Sequence, residues 1–464
     1  MLSLPQKISW KETIAFFVFI TFLVTIESTL SNEAPNPVAD QTRYIDYAIN
    51  LHFNNTFGLS RGSLTTTPEK SIANVPLYPW LVSLVMKIDP DLTETLVCIH
   101  THRTWINYCK LKLDTLVFFQ HILIIISLML IWITCHVLFE SITIAWAAPI
   151  FALLSEFLTE FTQTILTEVL ILPLFLSLQL FILLFLKYKN AKWGIAIGIS
   201  LGLLCLTRSE YIYLAYFMIA IALISLIKKP PRFILYGYIS SVLVMVVTIS
   251  PWSIRNNYNF NTYSLTKGNY AEIVLSERIG FNSMTSKEWL SSFVYWAPKG
   301  ENIASDYIPK AWYERFENDS TGLNDFRRIG LEEIYSNVTS STDKPYALSQ
   351  IVRDHILAKP IKHIITTIPL IWRGIFVGQR WGLVGLFLHL CLLITLIKTK
   401  NYELLWLSLP IWFIVTFHAL VSVSIERYNL PLLSIYAIGY GYFFTKLINK
   451  IMNWKYNRKP LKSL

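Results

Sequence analysis

Apolar residues along this chain come in long uncharged blocks, and the charged residues are gathered between them. The blocks occupy 13–26, 115–139, 141–155, 169–186, 193–207, 211–227, 233–252, 381–397, 404–425 and 428–445. A helix rises about 1.5 Å per residue and a hydrocarbon core is roughly 30 Å thick, so about 20 mostly apolar residues cross it. Each block meets that length with a few flanking residues. The pattern predicts an all-α integral membrane protein with about ten transmembrane helices.

Two long polar segments interrupt the blocks, and the parity of the spans puts both on one side of the membrane. The expected organisation is a first transmembrane helix at 1–26, a first outer loop at 27–114 and helices two to seven at 115–252. A second outer loop with an interfacial helix follows at 253–380, then helices eight to ten at 381–449 and a basic tail at 450–464. In the first loop a Pro-bearing linker, 32–38, precedes helical spacing through Tyr44, Tyr47, Ala48 and Leu51, and a second, interfacial helix is expected near Pro76. The second loop carries Trp289, Trp296 and Trp312, enough aromatic surface for a small soluble subdomain. Residues 360–377 are apolar but interrupted by Lys362, His363 and Arg373. They read as an interfacial helix, because counting them as a span would move Lys398 and Lys400 to the outer side.

Composition agrees with a membrane protein, with 53% apolar residues. The net charge of +10 raises the question of nucleic acid. Position answers it. Lys7 and Lys11, Lys187 to Lys192, Lys228 to Arg232, Lys398 and Lys400, and the tail from Lys446 occupy every second connection. That alternation is the positive-inside rule for cytoplasmic loops, so both termini are expected in the cytoplasm and no basic patch is left for nucleic acid. The first block is read as an anchor, since Glu27, Ser28, Thr29 and Leu30 offer no small-x-small cleavage site.

Of five cysteines, Cys135, Cys205 and Cys391 fall in or beside spans as small apolar side chains. Cys98 and Cys109 share the first outer loop, where an oxidising compartment permits a disulfide; the sequence leaves their pairing open. His52, His100, His102 and His121 show no metal-ligand spacing, and His136 and His418 read as hydrogen-bonded histidines within spans. Sequons stand at Asn54, Asn318 and Asn337.

Asp40 is the residue best suited to chemistry. It follows the linker after the first span, where a carboxylate fixed by a following helix can serve as a general base; Asp is also a common helix N-cap. Its segment reads D-Q-T-R-Y-I-D-Y-A-I-N-L, and N-V-P-L-Y-P-W-L-V-S-L follows at 74–84. Four further stretches come in order: T-E-V-L at 167–170, L-T-R-S-E at 206–210, S-P-W-S-I-R-N at 250–256 and E-R-Y-N-L-P at 426–431. Together they resemble the GT-C superfamily of polytopic, polyprenyl-phosphate-sugar-dependent glycosyltransferases, related to protein O-mannosyltransferases and the lipid A aminoarabinose transferase. The resemblance covers the first loop and nearly all the spans, and leaves the second loop unmatched.

The resemblance implies an inverting transfer of sugar from a polyprenyl-phosphate or diphosphate carrier to an acceptor hydroxyl on the outer face, with Asp40 as general base. Gln41 stands where the O-mannosyltransferases have the second acid of an Asp-Glu pair. Arg255 is the first expectation for the donor phosphate, since a guanidinium at a span end forks onto phosphate oxygens; it is equally the residue type that anchors a helix end. Arg208 and Arg427 are the further expectations, each beside an acid, Glu210 and Glu426. Glu168, Tyr44 and Tyr78 are candidates for the acceptor side or a second acid, and Glu156, Glu160 and Glu168 for an acidic rim. No cofactor or metal is expected, although the sequence leaves a divalent metal open. The implied partners are the lipid-linked donor, membrane lipids and a lipid, glycan or protein acceptor, in a bacterial inner membrane. The rival reading is a polytopic transporter or lipid flippase, whose usual ionisable residues deep in several spans are missing from the sequence.

Overall fold

The computed structural model describes residues 8–30, 40–60, 64, 67–102, 108–155, 157–227, 229–320, 322–341 and 347–457. The linker at 32–38, Lys7, Lys228, Glu156 and the last basic residues lie outside them. The helices run α1 Trp10–Leu30, α2 Asp40–Asn54, α3 Leu77–Met86, α4 Pro90–Thr101, α5 Asp114–Phe139, α6 Ile142–Leu153 and α7 Phe157–Glu160. There follow α8 Glu168–Tyr188, α9 Lys192–Thr207, α10 Tyr211–Leu226, α11 Arg232–Phe260, α12 Tyr270–Gly280, α13 Ser286–Tyr295 and α14 Gly300–Tyr307. The last are α15 Asp325–Ile329, α16 Ser336–Ser341, α17 Ala347–Ile351, α18 Pro360–Gly374, α19 Arg380–Lys398, α20 Glu403–Val421 and α21 Leu432–Asn457. Chain contacts divide the molecule into two units, 1–267 with 387–408 and 433–464, and 268–386 with 409–432.

Among the described residues six helices are long and apolar enough to cross a membrane, namely α1, α5, α8, α11, α19 and α20, with a seventh if the bent pair formed by α6 with 157–163 is counted as one span. The chain is a membrane protein. Two expected spans, α9 and α10, are apolar helices of 16 residues each, and the block at 404–425 stops helically at Val421. Helix resumes only at Leu432, just past Pro431, which cannot donate the N–H that a continuing helix needs.

In the first unit α9 packs along α11 through Gly194, Gly198 and Gly202. A Cβ at Gly194 would run into the Gly237 carbonyl, and one at Gly198 into the Ser241 carbonyl. Small residues every fourth position let two backbones approach where lipid supplies no hydrophobic drive between helices. The α4 N-terminus shows local causes equally well. Pro90 opens the helix and the Asp89 carboxylate accepts from the Asp91 N–H at 2.9 Å. Cys98 and Cys109 are disulfide-bonded, tying the end of α4 to the strand of chain that leads into α5.

The polar stretch between α2 and α3 holds a short antiparallel pair, β1 Gly58–Leu59 and β2 Glu69–Lys70, with Gly58 opposite Lys70. Asn50 of α2 fixes it by donating to the Gly58 carbonyl at 2.9 Å and accepting from Ser60 at 3.0 Å.

The second unit has its own aromatic core. Phe281 stacks on Phe326 at 5.0 Å, and Tyr295, Tyr313, Phe316 and Met284 close around them. Thr285 and Glu288 form a reciprocal capping box that starts α13. Of the three tryptophans expected to build this unit, Trp296 packs against the core, and Trp289 donates from its indole to the Ile365 carbonyl at 2.9 Å. The 15-residue α18 is interrupted by Lys362, His363 and Arg373 and is not among the helices long and apolar enough to cross a membrane. It buries its polar side, His363, Thr366 and Thr367, and turns Ile361, Ile364, Ile365 and Ile368 outward. That inversion of the usual amphipathic order suits a helix lying against lipid.

Candidate active site

Asp40 is the first residue of α2, so the positive end of the helix dipole lies at its carboxylate. One turn on, Tyr44 is the meeting point of the site. Its phenol hydrogen-bonds Thr167 and feels the charges of Arg208, Glu168 and Asp40. Burial pushes this phenol above its ordinary value, with Arg208 opposing, so Tyr44 stays protonated at neutral pH. Its ring meets Tyr78 edge to face at 5.4 Å.

Glu168 is likewise the first residue of its helix, α8, and is almost fully buried. Thr167 donates to it at 3.3 Å, and an Arg208 Nη1 lies 3.5 Å from its other oxygen. Arg208, in extended conformation at the end of α9, places its Nε 2.6 Å from Glu210, which precedes α10. One guanidinium at the end of α9 thus links two carboxylates at the starts of two other helices, α8 and α10.

The short connection leading to Glu168 is tied down from several sides. Thr159 donates to Glu27 near the end of α1 at 2.8 Å. Thr162 meets His121 of α5 at 3.3 Å, and Gln120 of α5 donates to the Thr162 carbonyl at 2.8 Å. Gln41 of α2 accepts from the Ile165 N–H at 2.7 Å. Tyr78 is buried and donates to Gln120 at 3.0 Å, which makes it a packing partner of Tyr44; burial raises its phenol too.

The structure therefore brings Asp40, Tyr44, Glu168 and Arg208 together. Arg255 is engaged elsewhere in the same unit. Arg255, near the end of α11, donates to the carbonyls of Ser71 at 2.8 Å and Phe57 at 2.9 Å, and its guanidinium lies 4.6 Å from the Trp252 ring centre. It fastens the segment between α2 and α3. Arg427 belongs to the second unit, in a turn at Glu426–Asn429, with its guanidinium over the Tyr428 ring, while Glu426 accepts from Gln379 at 2.7 Å. The acidic rim does not form as expected: Glu160 is exposed, Glu168 is buried, and Glu156 is outside the described residues. Among the described residues no group of three or more His, Cys, Asp or Glu side chains is arranged to hold a metal.

Sequence reasoning missed Gln41, Thr167 and the Asp46–His100 pair, a buried contact of 2.7 Å that ties α2 to α4. The signal was present for Asp46 and Asn50. They recur on one side of α2 at four-residue spacing, where polar residues in a packed helix need partners.

No protein-family model and no curated protein sequence matches the chain. Solved structures do. The archaeal oligosaccharyltransferase AglB from Archaeoglobus fulgidus, in complex with an inhibitory peptide and a dolichol-phosphate, matches 98% of this chain and 53% of its own, with TM-score 0.51 and 11% identity. The Archaeoglobus fulgidus oligosaccharyltransferase in complex with Zn and sulfate matches 94% of this chain and 49% of its own, with TM-score 0.50 and 13% identity. ArnT from Cupriavidus metallidurans bound to undecaprenyl phosphate matches 93% of this chain and 78% of its own, with TM-score 0.41 and 13% identity. The chain spans about half the length of the oligosaccharyltransferase chains it matches. What the likeness establishes is the architecture, which is the GT-C fold.

Proposed function

We propose that this protein is a membrane glycosyltransferase that moves a sugar from a polyprenyl-phosphate or diphosphate carrier to an acceptor hydroxyl on the outer face. The observation that carries the reading is the convergence of Asp40, Glu168 and Arg208 on Tyr44 in a chain of GT-C fold. In this reading Asp40 takes the proton from the acceptor hydroxyl as its oxygen attacks the anomeric carbon. The bond to the carrier phosphate breaks, polyprenyl phosphate leaves, and a single displacement inverts the centre. The neighbouring α2 and α8 N-termini and the Arg208 guanidinium supply positive field for the leaving phosphate. Arg208 is favoured over Arg255 for this role because it lies among the groups around Tyr44, while Arg255 is committed to backbone carbonyls.

The proposed topology has ten spans, formed by α1, α5, the α6–α7 pair, α8, α9, α10, α11, α19, α20 and α21, with α18 along the interface and both termini in the cytoplasm. A bacterial inner membrane is the proposed location. A carrier bearing a sugar is the proposed donor, since solved relatives of this fold are described with dolichol-phosphate. The acceptor is proposed to be a lipid, a glycan or a protein.

The test supplies purified protein in lipid nanodiscs with a panel of radiolabelled polyprenyl-phosphate sugars and measures label released to water or transferred. Release or transfer that requires Asp40 is expected. Transbilayer movement of the labelled lipids with no cleavage would sink the transferase reading in favour of a flippase.

A further inference from the structure

Gln41 sits beside the proposed base, and its side chain is turned away from solvent, with only 7% of its surface exposed. Its Oε1 accepts from the Ile165 backbone N–H at 2.7 Å, across 124 residues of sequence. Ile165 lies in the connection between the turn at Phe161–Gln163 and α8, three residues ahead of Glu168. The hydrogen bond therefore joins the first turn of the helix that begins at Asp40 to the chain that delivers Glu168. A buried amide N–H without an acceptor costs about 1–3 kcal/mol, so the pair has reason to stay closed.

Other ties hold the two pieces separately. Thr159, Thr162 and the Thr162 carbonyl fasten the connection to α1 and α5. Asp46 and Asn50 fasten the middle and end of α2 to α4 and to β1. Near Asp40 itself the cross-links include Gln41 to Ile165 and Tyr44 to Thr167. They leave α2 from consecutive turns and land two residues apart.

We propose that Gln41 is a positioning residue for the transfer, setting the relation of the Asp40 carboxylate to Glu168 and Arg208 through its hydrogen bond to the Ile165 amide. This rests on the reading of Asp40 as general base. A neutral carboxamide here has a chemical consequence: the strut makes its bond without adding a further negative charge to the carboxylates already gathered there. Misplacing a reacting group by about 1 Å costs on the order of 100-fold in rate while leaving binding contacts made elsewhere intact.

The experiment compares Gln41→Met, which keeps the length and removes the acceptor, with Gln41→Glu, which keeps an acceptor oxygen. Both are purified as full chains in nanodiscs and assayed with a labelled polyprenyl-phosphate sugar. Gln41→Met is expected to lose 10- to 100-fold in kcat with KM for the lipid donor within about twofold, and Gln41→Glu, which keeps the acceptor but adds a negative charge beside Asp40, to recover only part of that loss. Amide hydrogen exchange supplies a readout independent of turnover: Ile165 should exchange faster in Gln41→Met and stay protected in Gln41→Glu. Should Gln41→Met fail to accumulate, Gln41→Asn decides, since it is one methylene too short to reach the Ile165 N–H and should lose kcat in the same way. Wild-type kcat in a folded Met or Asn variant, with Asp40→Asn inactive, would overturn the role of Gln41 alone. Wild-type turnover in Asp40→Asn would instead overturn the reading of the site beneath it.

Discussion

Arg208 places its Nε 2.6 Å from a Glu210 oxygen while reaching back toward Glu168 with Nη1. The first contact is between neighbours in sequence and the second crosses to another helix end, so the guanidinium fixes α8, α9 and α10 against one another at the level of Asp40. A cation held between two acids is already paid for in desolvation, and it remains partly exposed on one side.

Replacing Asp40 by Asn should remove about 100- to 10,000-fold of sugar transfer, the usual contribution of a general base. The Asn side chain keeps the size and polarity of Asp at the helix start, so membrane abundance and thermal stability should stay near wild type. Quantified transfer at matched protein levels is the check, and unchanged turnover would return Asp40 to a structural role at the start of α2.

Much of this arrangement was legible in the sequence, and the limits are physical. Long apolar blocks fix where helices run, because the bilayer allows few alternatives. The sequence singles out Asp40 by its place after the first span and Glu168 by the T-E-V-L stretch, and the structure sets both beside Tyr44. The partner of Arg208 was half visible: Glu210 is two residues away, but Glu168 is brought in only by the packing of α8 on α9. Arg255 marks a limit of the sequence, because a guanidinium at a span end looks the same there whether it faces a phosphate or two backbone carbonyls. The carbonyls of Phe57 and Ser71 carry no residue-specific signal at all.

The ten-span topology predicts opposite labelling of the connections. Single cysteines at Lys189, Lys229 and Lys400 should react only with membrane-permeant reagent, and those at Asp40, Glu160 and Asn318 with impermeant reagent as well. The reasoning is the alternation of basic connections. Labelling of position 400 from outside would mean that 360–377 crosses the bilayer after all.

Arg255 should behave as a fastening. Arg255→Ala removes donors from the Phe57 and Ser71 carbonyls and a cation from the Trp252 ring, which together should cost on the order of 2–4 kcal/mol. Arg255→Lys should recover only part, since an ammonium on a single stem cannot span two carbonyls. Limited proteolysis between α2 and α3 should speed up in the order wild type, Lys, Ala. An Ala variant that resists protease like wild type yet no longer binds polyprenyl phosphate would restore Arg255 to the donor site.

His363 gives the second unit a dependence on pH. Burial, with the Arg278 cation beside it, holds the imidazole down to about 4 from an ordinary 6.5. Its Nε2–H donates to the Leu420 carbonyl at 3.0 Å and its Nδ1 accepts from the Asn282 amide at 3.1 Å, so a second proton would face an N–H donor. Arg278 completes the arrangement from α12, donating to the Ala419 carbonyl at 2.6 Å and the His363 carbonyl at 2.9 Å. Together the two side chains satisfy carbonyls in the last turn of α20, which would otherwise end without acceptors' partners. Between pH 4 and 6.5 the unfolded chain binds a proton at this position that the folded chain refuses. Stability must therefore be complete above about pH 6.5 and decline as pH falls toward 4, by on the order of 1–3 kcal/mol at this position. His363→Gln keeps a donor and an acceptor but cannot titrate, so its own decline over the same window should be shallower. Thermal unfolding of both proteins in nanodiscs at pH 7, 5.5 and 4.5 measures the difference, from which the carboxylates common to both cancel. Parallel losses in the two proteins would show that the imidazole takes up its proton as readily folded as unfolded.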